Sequence, residues 1–335
     1  MKIIEIDNNA VASVSNHVKP TPKAGEVLIK VAYSALDTAF EEVAHREFIP
    51  GSLLHDLKVK PLVAGWHYSG TIVSLGDDSS VTTTNTTSKQ NDLTVGDLVF
   101  GHLQYDSATR QGTLAEYITV PTLECAKIPS GVDLDVAAAI TTESLTALQA
   151  MRDIGGLSEG KNVLVIGAGG GVGTQAVQIA KAMKASKVHA VCSTYDVPKV
   201  QGLGADLVID RSIQNIEKDL NAACYDIIFD TTGKYSFASL KYALAKEGTL
   251  VNTIPNVATF LFSWMFPIIF GKHYKSVFVQ CNRADLELVG SWLQQGIISC
   301  PIDSTHNIKD FENARDRQKE SKKSGRVVVK VEGGW

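Results

Sequence analysis

The densest chemistry in the chain is the run VLVIGAGGGVGTQAVQIAKAM, where an apolar strand ends at Ile166, a glycine-dense turn follows, and an amphipathic helix begins near Val172. Gly170 and Gly173 fall at the second and third glycine positions of a dinucleotide fingerprint, with Ala168 at the first. Such a site needs a tight turn, close backbone approach to a pyrophosphate, and no side chain where helix crosses strand. The helix start then offers unbonded N–H groups and the positive end of its dipole to phosphate. Ala168, Gly169, Gly170, Gly171, Val172 and Gly173 are therefore candidate cofactor contacts.

The next strand, KVHAVCS, ends on Cys192, Ser193 and Thr194, none of them acidic. An NAD enzyme places Asp or Glu there to accept from the ribose 2′-hydroxyl. Asp196 lies further on, where its expected role is to cap the following helix. Lys199 and Arg211 come next. Small hydroxyls and cations suit a 2′-phosphate, so Ser193, Thr194, Lys199 and Arg211 point to NADPH; either cation also fits as a solvated surface charge.

The elements that must position these groups divide the chain by texture. Through residue 125 it reads as short strands, EVLIKVAYSAL, HYSGTIVSLG and DLVFGHLQY, bounded by Gly, Pro and Asp. The polar run DDSSVTTTNTTSKQND between them reads as a solvated loop. Beyond residue 125, Val/Ile strands alternate with helical patterns: NVLVIGA, TQAVQIAKAMKA, KVHAVCS, VPKVQGLG, DLVID, YDIIFDTTG, SFASLKYALAK and GTLVNTI. That alternation predicts an α/β fold with a parallel sheet covered on both faces. The closing GRVVVKV is a strand expected to return to the first domain's sheet.

Composition narrows the class. At 335 residues, two domains are expected. With 44% apolar and 20% charged residues, wholesale disorder is excluded. A net charge of −4 gives no global attraction to nucleic acid or anionic membrane. The cysteines at 125, 192, 224, 281 and 300 are odd in number and form no C-x-x-C, so neither a disulfide framework nor a cysteine-rich zinc lobe is encoded. Together with an N-terminus, MKIIEIDNNA, that lacks an apolar run, this points to the cytosol. The longest apolar stretch, residues 257–271, is broken by Pro267 and too short to span a bilayer. It fits a buried helix or dimer contact; the wall of a substrate cleft or a peripheral lipid contact are the other readings.

Several motifs in order, KPLVAGWHYSGTIV, LTVGDLVFG, GTLAEYITVP, ESLTALQAM, the glycine turn, GLGADLVID, DIIFDTTG and SGRVVVKV, resemble the zinc-independent quinone oxidoreductase (zeta-crystallin-like) branch of the medium-chain dehydrogenases/reductases. The likeness covers almost the whole chain. It implies a GroES-like catalytic domain over residues 1–124 and 300–335, and a Rossmann NADPH-binding domain over 125–299. Quinones or α,β-unsaturated carbonyls would be reduced by hydride transfer. It further implies nicotinamide positioning by Thr146 and by the turn Asp230, Thr231, Thr232 and Gly233. A homodimer would form through the Rossmann edge at residues 274–280.

In the zinc-dependent relatives three ligands occupy positions that correspond here to Asp37, Trp66 and Thr142. Indole offers no lone pair to a metal and a threonine hydroxyl is a poor zinc ligand, so no metal is expected. Without a Lewis acid, conjugated acceptors are easier to reduce than isolated carbonyls. Asp37 stands where the branch often has Asn, and His67 where it often has Glu. If the two share a site, the carboxylate stabilises the protonated imidazole, which could donate toward an oxygen gaining charge. Tyr68 and Tyr33 are candidate phenols, though both fit a core. The tyrosine of the related enoyl thioester reductases is missing, since Ile49 precedes Pro50. Tyr242 and Lys246 form a Tyr-x-x-x-Lys in a presumed helix, but the glycine turn lies too far into the chain for short-chain dehydrogenase topology. A non-enzymatic NADPH-binding sensor or structural protein is the alternative reading.

Overall fold

The computed structural model describes residues 1–7, 10–38, 62–76, 92–104, 111–220, 224–254 and 263–335. Ile49, Pro50, nearly all of the Thr/Ser-rich run and residues 257–262 of the apolar stretch lie outside the described residues. The chain forms two compact units. One holds residues 1–141, 281–294 and 300–335; the other holds 142–280 and 295–299.

The first unit begins with β1 (Lys2–Ile6), β2 (Ala12–Asn16) and β3 (Glu26–Ala35), followed by β4 (Leu62–Val63), β5 (His67–Leu75), β6 (Leu98–His102), β7 (Tyr117–Pro121) and β8 (Ala126–Lys127). β1 pairs antiparallel with β2 and β4 in a small sheet. β3 is the spine of the larger sheet, bonded antiparallel to β5 and β7. Its Val27, Ile29 and Val31 are fully buried, as are Ile72 of β5 and Ile118 of β7. Each such side chain contributes roughly 2 kcal/mol by leaving water. This burial fixes the register that places His67 at the start of β5, opposite His102 of β6.

Helix α1 (Leu134–Gln149) leads into the second unit. Its strands are β9 (Asn162–Ile166), β10 (Lys187–Cys192), β11 (Leu207–Asp210), β12 (Tyr225–Asp230), β13 (Leu244–Asn252) and β14 (His273–Ser276). They lie in the order β11-β10-β9-β12-β13-β14, and every pairing is parallel. Val163, Leu164, Val165 and Ile166 of central β9 are all buried, which is why that strand reads as continuous rather than alternating apolar sequence. Helix α2 (Gly171–Ala182) follows β9. The order reverses between β9 and β12, the switch point at which open parallel sheets bind ligands beyond their strand ends.

The chain then returns. β15 (Ile302–Asn307) pairs with β16 (Arg326–Lys330), and β16 pairs antiparallel with β3, so the closing GRVVVKV does join the first unit's sheet.

Two local expectations need correction. SFASLKYALAK is not one helix: a short helix covers Phe237–Leu240, and β13 starts at Leu244. Ala243 and Leu244 are fully buried, and Leu244 pairs with Tyr225, so sheet packing overrides helical propensity. Residues 274–280 do not form one strand either, because β14 ends at Ser276, although it does occupy the sheet edge. A short helix, Met265–Phe270, turns Phe266 and Phe270 onto Phe237. It leaves Trp264 and Ile268 66% and 77% exposed, so this end of the apolar stretch is not a buried helix.

Candidate active site

In the second unit the glycine turn closes β9 onto α2. Gly167 takes φ +82, the left-handed conformation that other residues resist. The tight turn therefore falls on Gly167, one residue before the expected Ala168. Ala168 is buried, and its N–H, like that of Gly167, donates to the Val191 carbonyl. Gly167 lies one residue outside the fingerprint spacing; its place directly after the strand was the available signal. Gly173 serves close packing: a Cβ there would stand 2.2 Å from the Gly167 carbonyl oxygen and 2.6 Å from the Ala168 Cα. Gly170 is the N-cap of α2, with no side-chain cap, and a Cβ on it would meet only the Gly167 oxygen, at 3.5 Å. The first bond of the helix runs from Thr174 N–H to Gly170. The N–H groups of Gly171, Val172 and Gly173 thus precede any helical acceptor. The cradle fits a dinucleotide pyrophosphate.

The loop after β12 supports that cradle. Thr231 Oγ1 donates to the Ile166 carbonyl at 2.9 Å, and a Cβ on Gly167 would clash with the same hydroxyl at 2.4 Å. Asp230 is fully buried. It accepts from Thr232 N–H at 2.9 Å, Thr232 Oγ1 at 2.7 Å and Tyr235 N–H at 3.2 Å. Asp230 thereby shapes the turn and presents no free carboxylate, which corrects its expected role as a cofactor contact. Thr146 lies buried on α1, and its hydroxyl bonds none of these groups.

At the end of β10 the structure overturns the capping role of Asp196. Its side chain makes no cap bond. It instead accepts from Ser193 Oγ at 2.7 Å and pairs with Lys199 at 2.8 Å. Lys199 also donates to the Gly169 carbonyl at 2.9 Å. Thr194 is exposed and its side chain bonds Asp210, whose carboxyl is held below the usual range chiefly by that bond. Arg211 carries an exposed side chain beside the β10 end, where its N–H donates to the Cys192 carbonyl at 3.0 Å.

In the first unit Asp37 and His67 do share a site. His67 Nε2 donates to Asp37 Oδ2 at 2.9 Å, and Nδ1 lies 3.1 Å from Thr141 Oγ1. A carboxylate only accepts, so Nε2 carries a proton; Nδ1 accepts from the threonine, or donates to it when the ring is charged. Thr141 was not foreseen; it is one of the ordinary threonines of an apolar helix, and only the fold sets it against the imidazole. His67 is fully buried with both ring nitrogens engaged, so it cannot present a proton to a substrate directly, as had been expected. Asp37, 9% exposed, is the member of the pair that reaches the surface. His102, across the ladder, is also buried; desolvation pushes its imidazole down to about 4, so it stays neutral.

Tyr68 leaves the catalytic set. It is fully buried, its hydroxyl donates to the Glu124 carbonyl at 3.2 Å, and burial drives its phenol well above the ordinary range. Tyr33 is half-buried and is pushed the same way by burial, then by Asp135 and Asp133. Tyr242 donates to the carbonyls of Ile216 and Glu217, while Lys246 is exposed in β13, so the Tyr-x-x-x-Lys spacing builds no dyad.

Comparisons with known proteins agree with this architecture. Residues 23–130 match the alcohol dehydrogenase GroES-like domain, and residues 203–329 match the zinc-binding dehydrogenase domain. A trans-enoyl reductase, pgmF, of Aspergillus terreus is 28% identical over 99% of this chain and 93% of its own. An NADPH-dependent alkenal/one oxidoreductase of Arabidopsis thaliana is 33% identical over 73% of this chain and 59% of its own. The solved quinone oxidoreductase of Coxiella burnetii superposes with a TM-score of 0.82 over 99% of both chains at 21% identity. The chain belongs to the medium-chain dehydrogenase/reductase superfamily, with a GroES-like domain and a Rossmann-type parallel sheet. It is an oxidoreductase of the NAD(P)H-using kind.

Trp66 and Thr142 stand at two of the three positions that the resemblance gives to zinc ligands, and neither an indole nor a threonine hydroxyl suits zinc. Among the described residues no group of three or more His, Cys, Asp or Glu could hold a metal.

Proposed function

We propose that the chain is an NADPH-dependent reductase of quinones or α,β-unsaturated carbonyls that works without zinc. The observation that carries this reading is the Gly167–Gly173 cradle at the switch point of the parallel sheet, with Thr231 and Thr232 locked beside it. When bound there, reduced nicotinamide supplies a hydride. Gly171, Val172 and Gly173 hold the pyrophosphate by backbone N–H groups. Arg211 offers an exposed cation that suits a 2′-phosphate, beside Ser193 and Lys199, which Asp196 holds, and the Arabidopsis relative, an NADPH-dependent enzyme, supports NADPH. Thr146, whose hydroxyl bonds none of the turn groups, is the nicotinamide-side contact in this reading.

Reduction of a conjugated acceptor leaves charge on an oxygen, which then needs a proton. His67 Nε2 carries that proton and donates toward Asp37 Oδ2 across 2.9 Å, and the carboxylate would relay it to the oxygen. Thr141 keeps the ring oriented through Nδ1. His67 is therefore a positioning residue and Asp37 the candidate catalytic one. The enoyl and alkenal relatives favour enones; the Coxiella neighbour speaks only for the fold.

Absorbance of the nicotinamide band during incubation with a panel of enones and quinones tests the reading. Oxidation of NADPH by at least one acceptor, undiminished by chelator, is expected. Tight NADPH binding with no acceptor turned over would replace it with a cofactor-binding protein of the same fold.

A further inference from the structure

The segment after β10 carries an acid that its spacing concealed. A Cβ on Gly169 would stand 2.4 Å from the Asp196 carboxyl carbon, so the carboxylate lies directly against the backbone of the glycine turn. Ser193 Oγ donates to its Oδ2 at 2.7 Å, and Lys199 Nζ is 2.8 Å from its Oδ1. The same ammonium donates to the Gly169 carbonyl at 2.9 Å. Both ends of the ion pair are partly sheltered, with Asp196 19% and Lys199 25% exposed. Thus the two side chains best suited to a 2′-phosphate, Ser193 and Lys199, are both committed to one carboxylate.

Resting on the dinucleotide reading above, we propose that Asp196 sets the choice of cofactor by holding Lys199 against Gly169 and withholding it from the 2′-phosphate. A phosphate carries nearly two negative charges and no donor, so it must compete with Asp196 for the ammonium. A ribose 2′-hydroxyl has a proton to donate, and a carboxylate accepts it. The chain therefore uses NADH alongside NADPH, with less discrimination than Ser193, Thr194, Lys199 and Arg211 would give with an uncharged neighbour. The sequence departs from the usual NAD pattern by placing its acid not on the strand end but three residues past Ser193, where a short turn folds it back.

Calorimetric titration of the full chain with NADPH and NADH reads this directly. One charge removed beside a phosphate in a partly sheltered setting changes affinity by about tenfold. Asp196→Asn is expected to raise the NADH-to-NADPH ratio of dissociation constants by about that factor, through tighter NADPH binding, with an unchanged melting temperature. Adding Lys199→Ala to Asp196→Asn is expected to abolish the gain. An unchanged ratio in Asp196→Asn, with NADPH bound by wild type, overturns the proposal. So does a gain that survives loss of Lys199. Failure of wild type to bind either nucleotide would overturn the dinucleotide reading itself, a result distinct from the other two.

Discussion

Asp37 and His67, 30 residues apart in sequence, meet at 2.9 Å with the imidazole fully enclosed and the carboxylate at the surface margin. Enclosure decides their division of labour. In the proposed reading, the enclosed ring holds and returns a proton and the carboxyl delivers it. Asp37→Asn keeps the shape and removes the proton site. Turnover is expected to fall about tenfold to a hundredfold, in the range of lost general acid catalysis, while NADPH affinity stays unchanged. Stopped-flow oxidation of NADPH with the best acceptor checks this; wild-type turnover in Asp37→Asn would make the pair structural.

Gly173 tests the cradle. A methyl group at this position would sit 2.2 Å from the Gly167 carbonyl oxygen, inside any real contact distance. Gly173→Ala is expected to push α2 away from β9 and to weaken NADPH and NADH binding alike, by tenfold or more. Fluorescence titration with both nucleotides would show a selective loss if this glycine instead served the 2′-phosphate.

Arg211 offers an exposed cation at the β10–β11 end outside the Asp196 pair. Arg211→Ala is expected to weaken NADPH binding several-fold and to leave NADH unaffected, because only the 2′-phosphate needs it. Equal loss for both nucleotides would place Arg211 elsewhere on the cofactor.

Burial of His102 gives the fold an acid-sensitive point. Its folded-state value is about 4 against an ordinary 6.5, the chief cause being desolvation. Between those values the unfolded chain binds the proton and the folded chain does not, so stability is complete above pH 6.5 and is lost as pH falls toward 4. The loss approaches about 3 kcal/mol. Chemical denaturation at pH 7 and pH 5 measures it, and His102→Asn should flatten the dependence.

Among the described residues β14 is the last strand of the parallel sheet, with one side bonded to β13. Exposed strand edges are normally covered, and exposed Phe278 follows this one. A homodimer through this edge is expected. Light scattering that returns a monomer mass at micromolar concentration would refute it.

Much of the fold was written locally. The glycine turn, the strand before it and the helix after it follow from periodicity and from which residues tolerate tight backbone. Val and Ile runs announced a parallel sheet because strands buried on both faces need no alternation. The motifs that carry the family resemblance were legible for the same reason: each is a short segment whose backbone requirement is met within a few residues.

What the sequence left open depended on atoms brought together from a distance. Asp196 looked like a helix cap because its spacing allowed one; its carboxylate pairs instead with Lys199, three residues on, and lies against the bare backbone of Gly169, which only the fold brings near. Tyr68 looked available until burial closed around it, and Thr141 looked ordinary until it met His67. Residue types thus set the glycine turn between strand and helix and put Trp66 and Thr142 where the resemblance expects zinc ligands. The tertiary structure alone decided which charges are already neutralised and which proton-bearing groups reach the surface, because burial and ion pairing depend on packing across elements that local sequence cannot see.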